Sequence, residues 1–441
     1  MLSKRPPHIA VVGTGYAGLA AALKILETGG RVTLFEKESS PGGLASSLEI
    51  GNAKLERFYH HFFTSDGYLI DMVRQLGLGD KIVWIKPKTA IYYNGQFYTL
   101  KGVADLLRFT PLPFWERVRM GWLIAYSYGL KNWRKLDRLS AKEWITTRVG
   151  HRAYRVLWEP LLISKFGSAA EQISAAWLWS KLKLRGASRN RRGQEVLGYF
   201  RDGGFYQVTK AMVERIKALG GCFRFETTLT GLKPTATGWQ VCFGSKAEQY
   251  DAALFTASPA LLAPLLPASP QTKLYRTKLL QSDYQGNICL AMVLNQSLGD
   301  TYWLSVEDIN CPFVAVIEHT NFIDSSVYGG KHIVYLSRYI SSSDPLYQSS
   351  DDEVIKIFFA YLKKIYPDFE ISTVEATHIS RAPFTQPITP VGYGSHILPV
   401  ETPWPRLYLA TMAQVYPEDR GTNYAIRIGQ DAAKKIMADC R

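Results

Sequence analysis

Gly13, Gly15 and Gly18 in "GTGYAG" stand in a G-x-G-x-x-G spacing, between a strand-like run "HIAVV" (8–12) and an Ala/Leu-rich helical run ending near Glu27. That spacing suits a pyrophosphate. Gly13 permits a tight turn, Gly15 leaves no Cβ between backbone and phosphate, and Gly18 lets helix and strand close on one another. The helix N-terminus then offers free N–H groups and a partial positive charge. Glu36 follows a second strand-like run, "RVTLF" (31–35), 21 positions beyond Gly15. A carboxylate there accepts hydrogen bonds from ribose hydroxyls and repels a 2′-phosphate, so the expected ligand is a dinucleotide other than NADP. Gly42 and Gly43 in "EKESSPGGLASS" (36–47) give a second close backbone approach.

A second candidate site is "ERFYHHFFTSD" (56–66), two adjacent histidines boxed in by aromatics in a chain with eight histidines. Neighbouring side chains on an extended chain diverge, and neither histidine has a helical partner three or four positions away, so no metal site is expected. His60 and His61 are candidate proton carriers, since imidazole ordinarily titrates near neutrality. In "EDRGTNYA" (418–425), Arg420 can neutralise an anionic ligand. Gly421, Thr422 and Asn423 open the last helix, whose dipole stabilises nearby negative charge, although Asn423 is equally a good N-cap. Lys165 in "ISKFG" is a weaker candidate, because most lysines are solvated. No Ser-His-Asp or paired-carboxylate arrangement stands out.

The chain resembles, essentially end to end, the large group of FAD enzymes that includes amine oxidases, protoporphyrinogen oxidases, carotenoid and squalene desaturases and UDP-galactopyranose mutases. The resemblance is carried by the glycine fingerprint, Glu36 followed by Gly42-Gly43, "WEPLLISKFG" and "ISAAWLWSKL", "GGFYQVTKAM", the Ala-Ser-Pro boundary near 257–259, and the C-terminal strand–loop–helix. It implies FAD rather than NAD, with the 418–425 loop bringing backbone N–H groups to the flavin. "YHHFF" (59–63) resembles a run of the mutase branch that passes the flavin ring, His61 matching its histidine and Tyr59 standing where that branch has glycine. Tyr16, Ala17, Lys37, Leu44, Tyr59, His60 and Leu229 complete the expected FAD contacts, and His60, His61 and Arg420 are the expected catalytic groups. The implied activity is hydride transfer from a rather apolar substrate to flavin. Two alternatives stand beside it: a mutase-like isomerisation of a nucleotide sugar without net redox, and a non-catalytic flavoprotein that binds a partner.

The elements that must position these residues imply an α/β protein: a two-domain, Rossmann-like FAD-binding fold of the glutathione reductase type, a mixed-sheet substrate domain and a helical insertion. At 441 residues with 46% hydrophobic content the chain exceeds what one core usually holds. Segments 1–85, 201–265 and 404–441 are expected to form the FAD-binding domain. A substrate domain is expected from the hairpin 86–101, turning at Asn94-Gly95, together with 266–403. Segment 102–200 reads as helical, and residues 101–200 carry 19 Lys+Arg against 7 Asp+Glu, so this region holds most of the +14 net charge. Mixed with Trp, Tyr and Leu, that charge suits an anionic membrane surface or a phosphate-bearing partner. The Arg-rich "RGASRNRRG" (185–193) matches no nucleic-acid module, so nucleic acid is not an expected partner. Five scattered cysteines without a CxxC, no secretory h-region and no apolar run near 20 residues point to a cytoplasmic protein that touches a membrane at most peripherally.

Overall fold

The glycine fingerprint sits in a parallel sheet whose strands are buried on both faces, as βαβ crossovers require. In the computed structural model, which describes residues 5–99, 103–189 and 194–440, "HIAVV" is strand His8–Val12 and "RVTLF" is strand Arg31–Phe35, with helix Tyr16–Glu27 between them. The five-stranded sheet runs Cys222–Arg224, Arg31–Phe35, His8–Val12, Ala252–Phe255, Leu407–Leu409, all parallel. The C-terminal helix Thr422–Asp439 returns beside the first helix. Gly429 makes the contact possible, since a Cβ there would fall 2.1 Å from the carbonyl oxygen of Ala17.

The second large sheet has seven strands in the order Val374–Pro387, Tyr284–Leu294, His332–Ile340, Ala315–Glu318, Trp303–Val306, Thr89–Tyr93, Gln96–Thr99. It is mixed, because Trp303–Val306 pairs in parallel with Thr89–Tyr93 while its other ladders are antiparallel. The Asn94-Gly95 turn closes its edge hairpin with φ of 49° and 76°, the left-handed pair that a tight hairpin turn needs. Helix Asp351–Ile365 covers one face through Val354, Phe358 and Leu362, the i, i+4, i+8 stripe of an amphipathic helix.

A helical layer over 103–187 packs beside the seven-stranded sheet and has its own core around Trp144, Trp177 and Phe166. One sequence expectation is corrected. "CFRFETTLTGL" reads as one strand but forms two, because Glu226 takes φ 52° and breaks the run. Cys222–Arg224 ends the parallel sheet, whereas Leu229–Pro234 begins a separate antiparallel sheet with Trp239–Phe243 and Lys246–Tyr250. Of the Arg-rich 185–193 stretch, residues 190–193 lie outside the described residues. Among the described residues no helix is long and apolar enough to cross a membrane.

Candidate active site

The glycines at the first turn are used as their spacing requires. Gly13 has φ 102°, and a Cβ on Gly18 would sit 2.0 Å from the carbonyl oxygen of Gly13. Gly15 is different: a Cβ there would meet nothing within 4 Å, so the space above the turn is open. Helix Tyr16–Glu27 has no side-chain cap, leaving its first N–H groups, those of Tyr16, Ala17 and Gly18, directed at that space. The Gly42-Gly43 loop closes over it, with the Gly42 N–H donating to Thr14 O at 3.0 Å and Gly43 lying against the Cα of Gly15. Glu36 Oε2 accepts from the Thr14 N–H at 2.9 Å and its hydroxyl at 2.7 Å, which fixes the carboxylate at the strand end. An uncapped helix start, an open glycine cradle and an anchored acid fit the pyrophosphate and ribose of FAD.

A cavity of about 430 Å³, reached by Leu44 just after the second glycine turn, lies between the helical layer and the seven-stranded sheet. Its wall includes Leu44, Tyr59, His60, His61, Arg420, Gly421, Thr422 and Asn423, which brings segments far apart in sequence to one cavity. The two histidines diverge. His60 packs on Phe205 at 5.2 Å, while His61 faces Tyr302 and Trp303. His60 Nδ1 donates to Phe58 O at 2.6 Å, which leaves Nε2 as the acceptor of a neutral ring. His61 Nδ1 lies 3.0 Å from the Tyr302 hydroxyl. Burial, reinforced by Arg420, lowers His60 to about 4; burial, reinforced by Arg185, lowers His61 to about 3. Both rings are therefore neutral at physiological pH, which corrects the expectation that they titrate near neutrality.

Two other expectations change. Lys165 is not a solvated lysine: it is 8% exposed, and its Nζ donates to Asp419 Oδ2 at 2.9 Å. Asn423 does not cap its helix; its Oδ1 accepts from the Leu69 N–H at 3.1 Å and ties helix Gly67–Gln75 to the C-terminal one. Lys37 points to solvent beside Glu38 at 3.2 Å. Leu229 pairs with Phe243 and packs against the core that holds Phe35 and Trp239, two positions beyond Thr227, whose N–H donates to the Glu36 carbonyl.

The groups that sequence reasoning missed surround Asp419. Its carboxylate accepts from Lys165, Lys181, Trp177 Nε1 at 3.0 Å and Gln386 Nε2 at 3.2 Å. Burial alone would raise the Asp419 carboxyl, but Lys165, Lys181 and Arg420 outweigh it and hold the group well below the usual carboxylate range. Glu307, on the opposite sheet, is raised by burial to about 8. The neighbour Arg420 was a signal for Asp419; Lys181 and Glu307 carried none.

A family model described as flavin containing amine oxidoreductase matches residues 16–437. The chain belongs to this family. FAD is its cofactor, and the cradle and the cavity rim are where this flavin-containing oxidoreductase would hold it. The "probable zeta-carotene desaturase" of Synechococcus elongatus is 22% identical over 284 residues, 57% of this chain and 58% of that protein. The matches span between 10% and 58% of the length of the curated relatives. The fold is shared with a protein from Exiguobacterium sp. 255-15 that carries a protoporphyrinogen oxidase assignment, at TM-score 0.78, 18% identity and 99% coverage of both chains. It is also shared with reduced UDP-galactopyranose mutase, at TM-score 0.77 and 15% identity over 98% of this chain and 96% of the mutase. At such identities the likeness concerns the fold.

Proposed function

We propose that the protein is an FAD-dependent oxidoreductase that oxidises a largely apolar substrate lying in the cavity. The observation that carries this reading is the cavity wall: Leu106, Met120, Ile124, Leu157, Leu161 and Leu178 line a single space with Tyr59, His60 and Gly421. FAD, when bound, supplies the acceptor for hydride. The chain's own contribution is placement and exclusion of water by that wall, with Asn287, Ser305, Ser337 and Tyr339 among its neutral polar contacts. Neutral His61 offers a hydrogen bond rather than a charge, and Arg420, donating to the Tyr339 hydroxyl at 2.9 Å, supplies a fixed positive charge.

Helix Phe114–Gly129 favours entry from an anionic membrane surface. It turns Met120, Ile124 and Tyr128 to the cavity and leaves Phe114, Trp115, Val118 and Trp122 exposed, Trp115 at 69%. Exposed Arg108 and Arg119 flank those aromatics, the pattern of an interfacial helix. The carotenoid desaturase relatives support an apolar substrate.

The test is a visible spectrum of the purified holoenzyme, followed anaerobically with isoprenoid, porphyrinogen, amine and nucleotide-sugar compounds. Bleaching of the flavin with stoichiometric oxidation of one compound is expected. Turnover of a nucleotide sugar without net redox would replace this reading with the isomerase one, which the histidine run at the cavity rim favours. Flotation with anionic liposomes that weakens in Trp115→Ala/Trp122→Ala checks the membrane face.

A further inference from the structure

The helical wall of the cavity is graded along its length. On one helical run Leu157, Leu161 and Lys165 follow at i, i+4 and i+8, and on helix Ala175–Ala187 Leu178 is followed by Lys181, Leu182 and Arg185, all facing the same cavity. At 1.5 Å per residue the step from Leu157 to Lys165 spans roughly 12 Å, so the wall changes from apolar to cationic within one substrate length. Lys165, Lys181 and Arg420 converge there on a single carboxylate, Asp419. Asp419 is already saturated by two lysines, an indole and an amide. Arg420 donates to Tyr339, while its Nε is buried without a hydrogen-bond partner. Glu307 and Asp66 also line the cavity, away from the Asp419 cluster, and burial raises Glu307 to about 8 and Asp66 to about 6. Around Asp419 three cations face one carboxylate; burial lowers both lysines, Lys181 to about 8, while Asp419 holds them up, and the local excess of positive charge favours an anionic partner.

We propose that the substrate is an anionic amphiphile whose apolar chain lies along Leu157, Leu161 and Leu178 and whose carboxylate or phosphate sits against Lys165, Lys181 and Arg420. This inference rests on the same cavity being the substrate site. The chemistry it requires is an oxyanion on an otherwise hydrocarbon molecule, which a wholly hydrocarbon polyene lacks.

Binding to the purified FAD-loaded protein is measured by difference spectroscopy of the flavin and by equilibrium dialysis, with dodecyl phosphate, dodecanoate, dodecanol and inorganic phosphate as probes. The anionic chains are expected to bind at least tenfold more tightly than dodecanol and than inorganic phosphate. Lys181→Met, which leaves Asp419 its contacts with Lys165, Trp177 and Gln386, is expected to remove most of that preference while leaving dodecanol affinity unchanged. Equal affinity for dodecanol and dodecyl phosphate would overturn the proposal. So would a Lys181→Met protein that keeps the preference and shows only a lowered flavin midpoint potential, since the cluster would then serve the flavin alone. If anionic chains bind selectively but no anionic or neutral compound reduces the flavin, the oxidoreductase reading fails while the anion site stands.

Discussion

The nucleotide cradle and the cavity, whose lining begins at Leu44 just after the second glycine turn, are held by different forces. The cradle is made of main chain: an uncapped helix start, two glycine turns and one anchored carboxylate, all within residues 13–43. Its tolerance is set by hard contacts between backbone atoms. The cavity is made of side chains from the helical layer, the seven-stranded sheet and the C-terminal loop, and its polar end is held by charge around Asp419. A cradle of the first kind fails through volume, and a wall of the second kind fails through uncompensated charge.

The sharpest way to break this contrast is to remove the charge. Asp419→Ala leaves Lys165, Lys181 and Arg420 facing one another without an anion, and orphans the Trp177 indole N–H. Breaking a buried pair from one side costs roughly 3–5 kcal/mol, so this variant should show the largest loss in a urea or thermal melt. Because Asp419 is held below the usual carboxylate range, its contribution to stability is present above the unfolded carboxylate pKa and disappears only as pH falls through the depressed folded value. Wild type should therefore keep its advantage over Asp419→Ala at pH 5, and the two curves should approach each other only in stronger acid.

Gly18→Ala tests the other region. Its added methyl has no room beside the Gly13 carbonyl, and overpacking of this kind costs roughly 1–3 kcal/mol. The expected signature is separable from that of Asp419→Ala. Gly18→Ala should lose the flavin absorbance during gel filtration while the apoprotein remains folded by circular dichroism. Loss of stability with full flavin retention would mean that the turn is packing only.

The same difference explains what could be read in the sequence. The cradle is local, with a rigid relation between spacing and geometry, so Gly13, Gly15, Gly18 and Glu36 were legible from the pattern alone, as were the strands on either side. The cavity depends on contacts across 254 positions, such as Lys165 to Asp419, and one-dimensional spacing says nothing about those. A lysine in a helix looks solvated until the loop that supplies its carboxylate is in place. Burial is likewise invisible at His60 and His61: their aromatic neighbours marked a site, but not how far desolvation lowers both rings. At Glu226 a left-handed residue split one apolar run into strands of two sheets, a turn without the usual Gly or Asn signal.

A smaller effect belongs to Glu307. A carboxyl raised to about 8 binds its proton more tightly in the folded than in the unfolded protein, so stability declines as pH rises from the ordinary carboxylate range towards 8. Glu307→Gln removes that decline. Its melting temperature should match wild type near pH 5 and exceed it by several degrees at pH 9, in differential scanning calorimetry. If the two melt alike at both pH values, the group is ionised and hydrated in the folded state.

The smallest expected effect is a flat one, and it decides what the histidines do. With His60 near 4 and His61 near 3, the rings carry no charge at neutrality, and a pH profile of kcat/KM reports ionisations of the free enzyme. Any limb belonging to these rings falls in acid, so the rings should contribute no inflection in the range where exposed imidazole titrates. His61→Gln keeps a neutral hydrogen-bonding group beside the Tyr302 hydroxyl and should retain the shape of the profile with a modest loss of rate. An inflection near neutral pH that vanishes in His61→Gln would mean that binding of cofactor and substrate restores the charge. The cavity rim would then behave as the charged region its neighbour at Asp419 already is, rather than as the neutral, desolvated edge its ring contacts imply.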